Sequence, residues 1–275
     1  MVKFRGVFCP LLTPFDHRGE LYLAKVRHNI LRLNQTKLAG YLAAGESGEG
    51  CMLTLDERVK LFAEVKGQAA KGRLLIADVG VPSVHETLLL AKEAEAAGYD
   101  FVYAAGPCVG DDHTYFATTA DRSPLPLIAQ VDPGQSSVGS HPNVAGVCCR
   151  SSADDIGRLR EALPDRVQMF GGSQAEMVGS FQAGATAAIL PLANASPFFL
   201  LSIEEAIRTR ETDAAHDLDS VIAELTSAID DLGVGGLKFA ADLQGYYGGL
   251  PRLPLQAPDT EGQQRIAKAL EEIAS

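Results

Sequence analysis

Eight short apolar runs, separated by longer amphipathic segments, recur along residues 6–192. They are "GVFCPLL" (6–12), "LAGYLAA" (38–44), "RLLIADV" (73–79), "YDFVYAAG" (99–106), "LPLIAQV" (125–131), "NVAGVCC" (143–149), "VQMFGG" (167–172) and "TAAILPL" (186–192). Strands that are apolar on both faces belong to parallel sheets covered by helices. Eight such units predict an α/β fold, a (β/α)8 TIM barrel. A doubly wound sheet is disfavoured: "LLTPFDHRG" follows the first run, where that fold places a glycine-rich phosphate turn.

The intervening segments carry helix signals. Residues 21–33 have helical patterning. Thr54 with Glu57 makes a capping box at the next helix, and Ser83 with Glu86 marks another start that Gly98 ends. Further helices are expected over 154–162, 174–183 and 197–210. The fifth unit differs. "PGQSSVGSHPN" (133–143) is too short and too rich in Gly, Ser and Pro for a full crossover helix. Beyond residue 210 the strands stop, and 213–232, 236–244 and 260–273 read as helices. The expected organisation is a barrel over 1–210 and a C-terminal helical extension over 211–275.

With 24 basic against 35 acidic residues, the formal charge is −11. Such a surface repels nucleic acid and anionic membranes, so neither is expected as a partner. No apolar stretch is long enough to span a bilayer, and the N-terminal residues lack a signal-peptide pattern. A cytoplasmic location is expected. The five cysteines, Cys9, Cys51, Cys108, Cys148 and Cys149, are odd in number and form no C-x-x-C pair. This argues against a disulfide framework or a zinc site. No metal and no cofactor are expected.

Four segments carry a resemblance: "GVFCPLLTPFDHRGE", "GESGEGCMLTLDER", "AKEAEAAGYDFVYAAGP" and "LKFAADLQGYYGGLPRLPL". In this order they resemble the dihydrodipicolinate synthase/N-acetylneuraminate lyase family of class I aldolases, over residues 2–270. The segment after the second strand is the most specific. The resemblance implies a (β/α)8 barrel with a C-terminal helical extension, a dimeric or tetrameric homo-oligomer, and a 2-keto acid substrate. It also implies a lysine at the end of strand six that forms a Schiff base, a proton-relaying tyrosine at the end of strand five, and two hydroxyl residues after strand two that hold the carboxylate. An iminium is an electron sink and stabilises the carbanion formed next to it.

This chain departs from that pattern. The lysine position falls on Cys148, and no lysine occurs between Lys92 and Lys238. The tyrosine position falls on Gln130, and no tyrosine occurs between Tyr115 and Tyr246. The family's tyrosine pair after strand four becomes Cys108 and Val109. The first carboxylate-binding hydroxyl becomes Glu46, which would oppose a substrate carboxylate, while Ser47 retains the second. The basic residue expected after Pro133 falls near Gln135. Gly45, Gly48, Glu49, Pro107, Pro133 and Gly172 remain as scaffold.

The candidate ligand-binding residues are therefore Glu46, Ser47, Gln130, Cys148 and Gly172, with no catalytic residue assigned. Cys148 should point into the barrel and Cys149 outward. A thiolate at Cys148 would need a nearby cation; Arg150 follows directly in sequence, with its direction open. Glu46, Asp78, Asp132 and Cys148 could share one rim and hold a cation or an amine, or be separately bonded loop acids. His113 and His141 are expected on loops near the same rim, Glu49 as a pin for the loop after strand two, and Ser173 as a helix N-cap. Two function classes stay open: a divergent enzyme of lyase-like or hydrolytic activity on a small molecule, and a non-catalytic ligand- or partner-binding barrel. An aldolase drawing its amine from an unexpected position is the third. Because the Schiff-base position holds a thiol, treatment with pyruvate and borohydride should leave the intact mass unchanged; a stoichiometric reduced adduct would refute the assignment.

Overall fold

The computed structural model describes residues 3–107 and 110–274, so Cys108 and Val109 lie outside the described residues. Eight parallel strands close into a barrel in sequence order: β1 (Gly6–Pro10), β2 (Gly40–Ala43), β3 (Leu74–Asp78), β4 (Phe101–Ala104), β5 (Leu127–Gln130), β6 (Val144–Cys149), β7 (Gln168–Gly171) and β8 (Ala187–Ile189). Between and after them run α1 (Leu23–Leu33), α2 (Leu55–Gln68), α3 (Val84–Ala97), α4 (Asp112–Arg122), α5 (Ala153–Ala162), α6 (Met177–Gln182) and α7 (Pro197–Thr209). The C-terminal extension consists of α8 (Thr212–Leu243) and α9 (Thr260–Ala274).

Local chemistry fixes the element ends. Thr54 and Glu57 form the expected reciprocal capping box on α2. Ser83 caps α3, and Gly98 closes it in the left-handed conformation. The fifth crossover is reduced to a single short helical turn, Ser136–Ser140. One expectation is corrected. Ser173 is not an N-cap: α6 begins only at Met177, with Glu176 at the capping position. The expected helices over 213–232 and 236–244 are both present: they are the two parts of α8, separated by a kink at Gly233 (φ 59°, ψ −148°). That conformation is open to glycine and costly for other residues.

The alternation along each strand sorts side chains into two layers. Inside the barrel, Phe4, Phe8, Phe101 and Phe170 form an aromatic plug, with Phe4 4.6 Å from Phe101 and 4.8 Å from Phe170 between ring centroids. Outside, Val7, Tyr41, Leu75, Val102, Val147 and Met169 pack beneath the helices. One irregularity matters for the site. The register of β5 on β6 shifts between Leu127 and Ile128, which pair with Val144 and Gly146, so Ala145 is an extra residue. A bulge of this kind reverses the facing of every later residue. It turns Cys148 into the inner layer and leaves Cys149 in the outer one. The plug fills the lower barrel, so the upper barrel is where a ligand has room. Truncating one of its fully buried members, Phe170→Ala, should lower stability by about 3–5 kcal/mol in urea unfolding, with the secondary structure retained.

Candidate functional site at the C-terminal ends of the strands

At the strand C-termini the inner layer turns polar. The inward positions Asp78 on β3, Tyr103 on β4, Gln130 on β5 and Cys148 on β6 succeed the apolar Ile76, Phe101 and Ile128 below them. Register places Asp78 beside Tyr103 and Gln130 beside Cys148. Above them opens a cavity of about 660 Å³. Glu46, Ser47, Gln130, Cys148 and Gly172 all line it, together with Arg58, Asp78, Tyr103, Arg150 and Asp230. Asp132 does not line it: it is exposed on the loop after β5, so the rim of Glu46, Asp78, Asp132 and Cys148 is not formed. Among the described residues, no cluster of three or more His, Cys, Asp or Glu could hold a metal ion. The histidines also lie elsewhere. His113 sits in the first turn of α4 beside a separate, smaller cavity, and His141 precedes β6 at the opposite end of the barrel, where its Nδ1 accepts the Asn143 amide.

Tyr103 organises the centre. Its hydroxyl donates to Gln130 Oε1 at 2.6 Å and acts on the Cys148 thiol, a neighbour in the same inner layer. Because the phenol occupies the amide oxygen, the Gln130 amino group is left as the donor end. Burial pushes the Cys148 thiol up to about 12, against smaller opposing effects of Tyr103 and the Arg150 charge. Only about one thiol in 10⁵ would then be ionised at pH 7. Burial thus keeps the Cys148 thiol in its neutral form.

Asp78 has the opposite character. It is partly exposed, toward the cavity; Oδ1 accepts the Gly80 amide at 2.8 Å. Burial pushes its carboxyl up to about 7, repulsion from Glu46 adds to this, and the Arg58 charge and the Gly80 bond oppose it. Arg58 is 3% exposed and is held by two backbone carbonyls, Asp78 O at 3.1 Å and Gly50 O at 2.8 Å. Its guanidinium is thus fixed in place without forming a salt bridge to the Asp78 carboxylate.

Arg150 settles its own direction. It crosses from the end of β6 to pair with Glu46 on the turn Glu46–Gly48 after β2. Gly172 makes this possible, since a Cβ there would lie 2.5 Å from Arg150 Cγ and 3.0 Å from Cys148 Sγ. The expectation that Glu46 presents an uncompensated negative charge to a ligand is corrected: the guanidinium beside it supplies the opposite sign. Gln135, at the expected basic position, instead donates to Asp112 Oδ2 at 2.6 Å and its Oε1 accepts the Asp132 amide at 2.8 Å.

Glu49 pins the loop after β2. It ion-pairs with Lys238 of α8, both side chains fully buried, and accepts the Arg252 amide at 2.7 Å. Lys238 also donates to Thr13 O at 3.0 Å and Leu250 O at 3.3 Å. It faces away from the cavity, and its neighbour Leu237 is the residue that lines it. No lysine lines the cavity among the described residues.

Sequence reasoning missed Tyr103, Arg58 and Asp230. Tyr103 was within reach of a period-2 count, because it is two residues after the inward Phe101. Asp230 carried no signal, since only the packing of α8 brings it to the mouth, where it accepts from Gln174 Nε2 at 3.3 Å.

Residues 3–129 match the dihydrodipicolinate synthetase family model. Over these residues the chain is similar to that family. The chain is 28% identical to a 4-hydroxy-tetrahydrodipicolinate synthase of Streptococcus mutans, over 97% of each chain. It is 27% identical to an N-acetylneuraminate lyase of Rhizobium meliloti, over 93% of this chain and 90% of that one. In fold it matches a dihydrodipicolinate synthase of Bacillus anthracis with a TM-score of 0.92 at 20% identity, over 98% and 99% of the two chains. The shared fold thus extends through the C-terminal helices.

The raised carboxyl has a consequence for stability. In the unfolded chain Asp78 ionises near pH 4, so between about pH 4 and 7 the folded state binds the extra proton. Stability should fall as pH rises through this window. Asp78→Asn should remove that loss and make the protein more stable at pH 8, by on the order of 2 kcal/mol in denaturant titrations, with little change at pH 4.

Proposed function

We propose that this family barrel binds a small molecule at its strand C-termini and acts on it by proton transfer from its own side chains, without a Schiff base. The observation that carries this is an open cavity with a carboxyl of pKa about 7 in its wall and no amine. A general base works best when its pKa lies near the working pH. The aldolase positions read on Cys148 and Gln130 are replaced in type, and the site is divergent in consequence. A third source of the amine finds no support, because Lys238 is consumed by Glu49.

The geometry suggests a division of labour. Asp78 takes a proton from carbon next to a carbonyl. The Gln130 amino group, oriented by Tyr103, donates to the carbonyl oxygen as negative charge builds on it. Ser47 and Arg150 hold the remainder of the molecule. Such a site serves enolisation and the additions or eliminations that follow from it, which keeps the reaction lyase-like. The names of the relatives, an N-acetylneuraminate lyase and a 4-hydroxy-tetrahydrodipicolinate synthase, agree with this class. The filled thiol position and the reduced fifth crossover are differences from an aldolase, but the cavity mouth is not plugged by side chains.

Deuterium wash-in tests this reading. Small 2-keto acids and 3-hydroxy acids are incubated with the protein in D2O and followed by proton NMR. Exchange next to the carbonyl should rise through about pH 7 and fall about 10²-fold or more in Asp78→Asn. Absence of exchange across the panel would favour the non-catalytic barrel instead.

A further inference from the structure

Two arginines line the cavity among the described residues, Arg58 and Arg150, and of these only Arg150 is exposed. Its stem lies over Gly172, and its charge acts on both Tyr103 and Cys148, so it reaches from the rim toward the centre of the site. Among the described residues, the one hydrogen-bonded partner of its side chain is Glu46, through Nη1 and Oε2. An arginine has five N–H donors in a fixed fork, and a single carboxylate oxygen uses one of them. The pair is also exposed, with side-chain exposures of 44% for Arg150 and 74% for Glu46. Ion pairs this open contribute little to stability and exchange readily. Arg58 offers no alternative, because its Nη1 and Nη2 donate to the buried carbonyls of Asp78 and Gly50.

We infer that Arg150 is the residue that selects an anionic head group on the ligand, and that Glu46 is its resident competitor, displaced when the ligand arrives. The inference rests on the proposed use of this cavity, and adds which end of the ligand is charged and what reads that charge. Glu46 then has a dual effect. It keeps Arg150 extended across the mouth before binding, and it weakens every anion that binds by the strength of the pair it breaks. Neutral molecules gain nothing from displacing it. Cations would be drawn to Glu46 but would face Arg150 in turn.

The test is calorimetric titration with malonate as the anionic probe, 1,3-diaminopropane as the cationic one and 1,3-propanediol as the neutral one. Malonate should bind the wild type, and more weakly by about 10-fold in Arg150→Gln, the loss expected for a charged hydrogen bond. Glu46→Gln should strengthen malonate by about 2- to 5-fold, the worth of an exposed ion pair. Gly172→Ala should weaken malonate without changing any charge, since it displaces the Arg150 stem. Equal malonate affinity in wild type and Arg150→Gln would overturn the inference. So would weaker malonate binding in Glu46→Gln, a preference for the diamine, or no malonate binding in any variant. Asp78→Asn should bind malonate at least as well as the wild type. Loss of deuterium exchange with these affinities intact would count against the proton-transfer reading alone, while exchange that persists with malonate indifferent to Arg150 would count against this one alone.

Discussion

A fully buried ion pair, Glu49 with Lys238, ties the loop after β2 to the C-terminal extension. Two charges without water are costly, and such a pair holds only when its remaining donors and acceptors are satisfied. Here Thr13 O and Leu250 O take the ammonium protons, and the Arg252 amide takes the second carboxylate oxygen. Burial lowers the Lys238 pKa, and Glu49 opposes the shift. Arg252 extends the clamp by bonding Glu57 Oε2 at 2.8 Å and Gly19 O at 2.7 Å. Four separate stretches of chain therefore meet at one point. Removing one partner of such a pair costs about 3–5 kcal/mol, far more than losing an exposed one. The turn that carries Glu46 and Ser47 is rigid because of this clamp, and α8 is held where Asp230, Val234 and Leu237 reach the cavity.

The same comparison of buried against exposed charge orders the cavity itself. Glu46 and Arg150 are solvated and can separate cheaply. Asp78 is desolvated and has no cation bonded to its carboxylate, so its proton is held to about pH 7. Cys148 is desolvated more completely, and its thiol remains neutral. Three groups within one cavity thus have three different protonation behaviours, set by their exposure and not by residue type alone. That separation is what acid–base chemistry needs: one group that exchanges a proton near neutrality, and neighbours that do not.

The barrel was legible because two-sided burial forces long apolar runs on every parallel strand, and eight of them left one economical closure. The helix starts at Thr54 and Ser83 were legible because capping is local. Glu46, Ser47, Gln130, Cys148 and Gly172 could be placed at one end of the barrel by counting along strands. What could not be read were the long-range partners. Arg150 sits next to Cys149 in sequence, yet its meaning depends on Glu46, more than a hundred residues away. Ser173 looked like a cap, but the chain continues as a loop to Glu176 before α6 starts. His141 looked like a rim residue because the shortened crossover hides how far the chain has travelled to the other end by that point.

The bulge at Ala145 and the phenol of Tyr103 are connected. Without the extra residue, counting by twos from the outward Val144 would send Cys148 out toward the helices and Cys149 into the barrel. With it, the thiol meets Tyr103 and Gln130 in one inward layer. A phenol is thus present at the barrel centre although β5 ends in glutamine. It comes from β4, the neighbouring strand, and is bonded across to the glutamine. The hydroxyl is donated to the amide oxygen, so the proton-bearing group that faces a ligand is the Gln130 amino group, a fixed donor that does not titrate. A tyrosine in that place could both give and take a proton, whereas an amide can only give a hydrogen bond. The carboxyl of the inner layer, among the described residues, is that of Asp78, one strand beyond Tyr103.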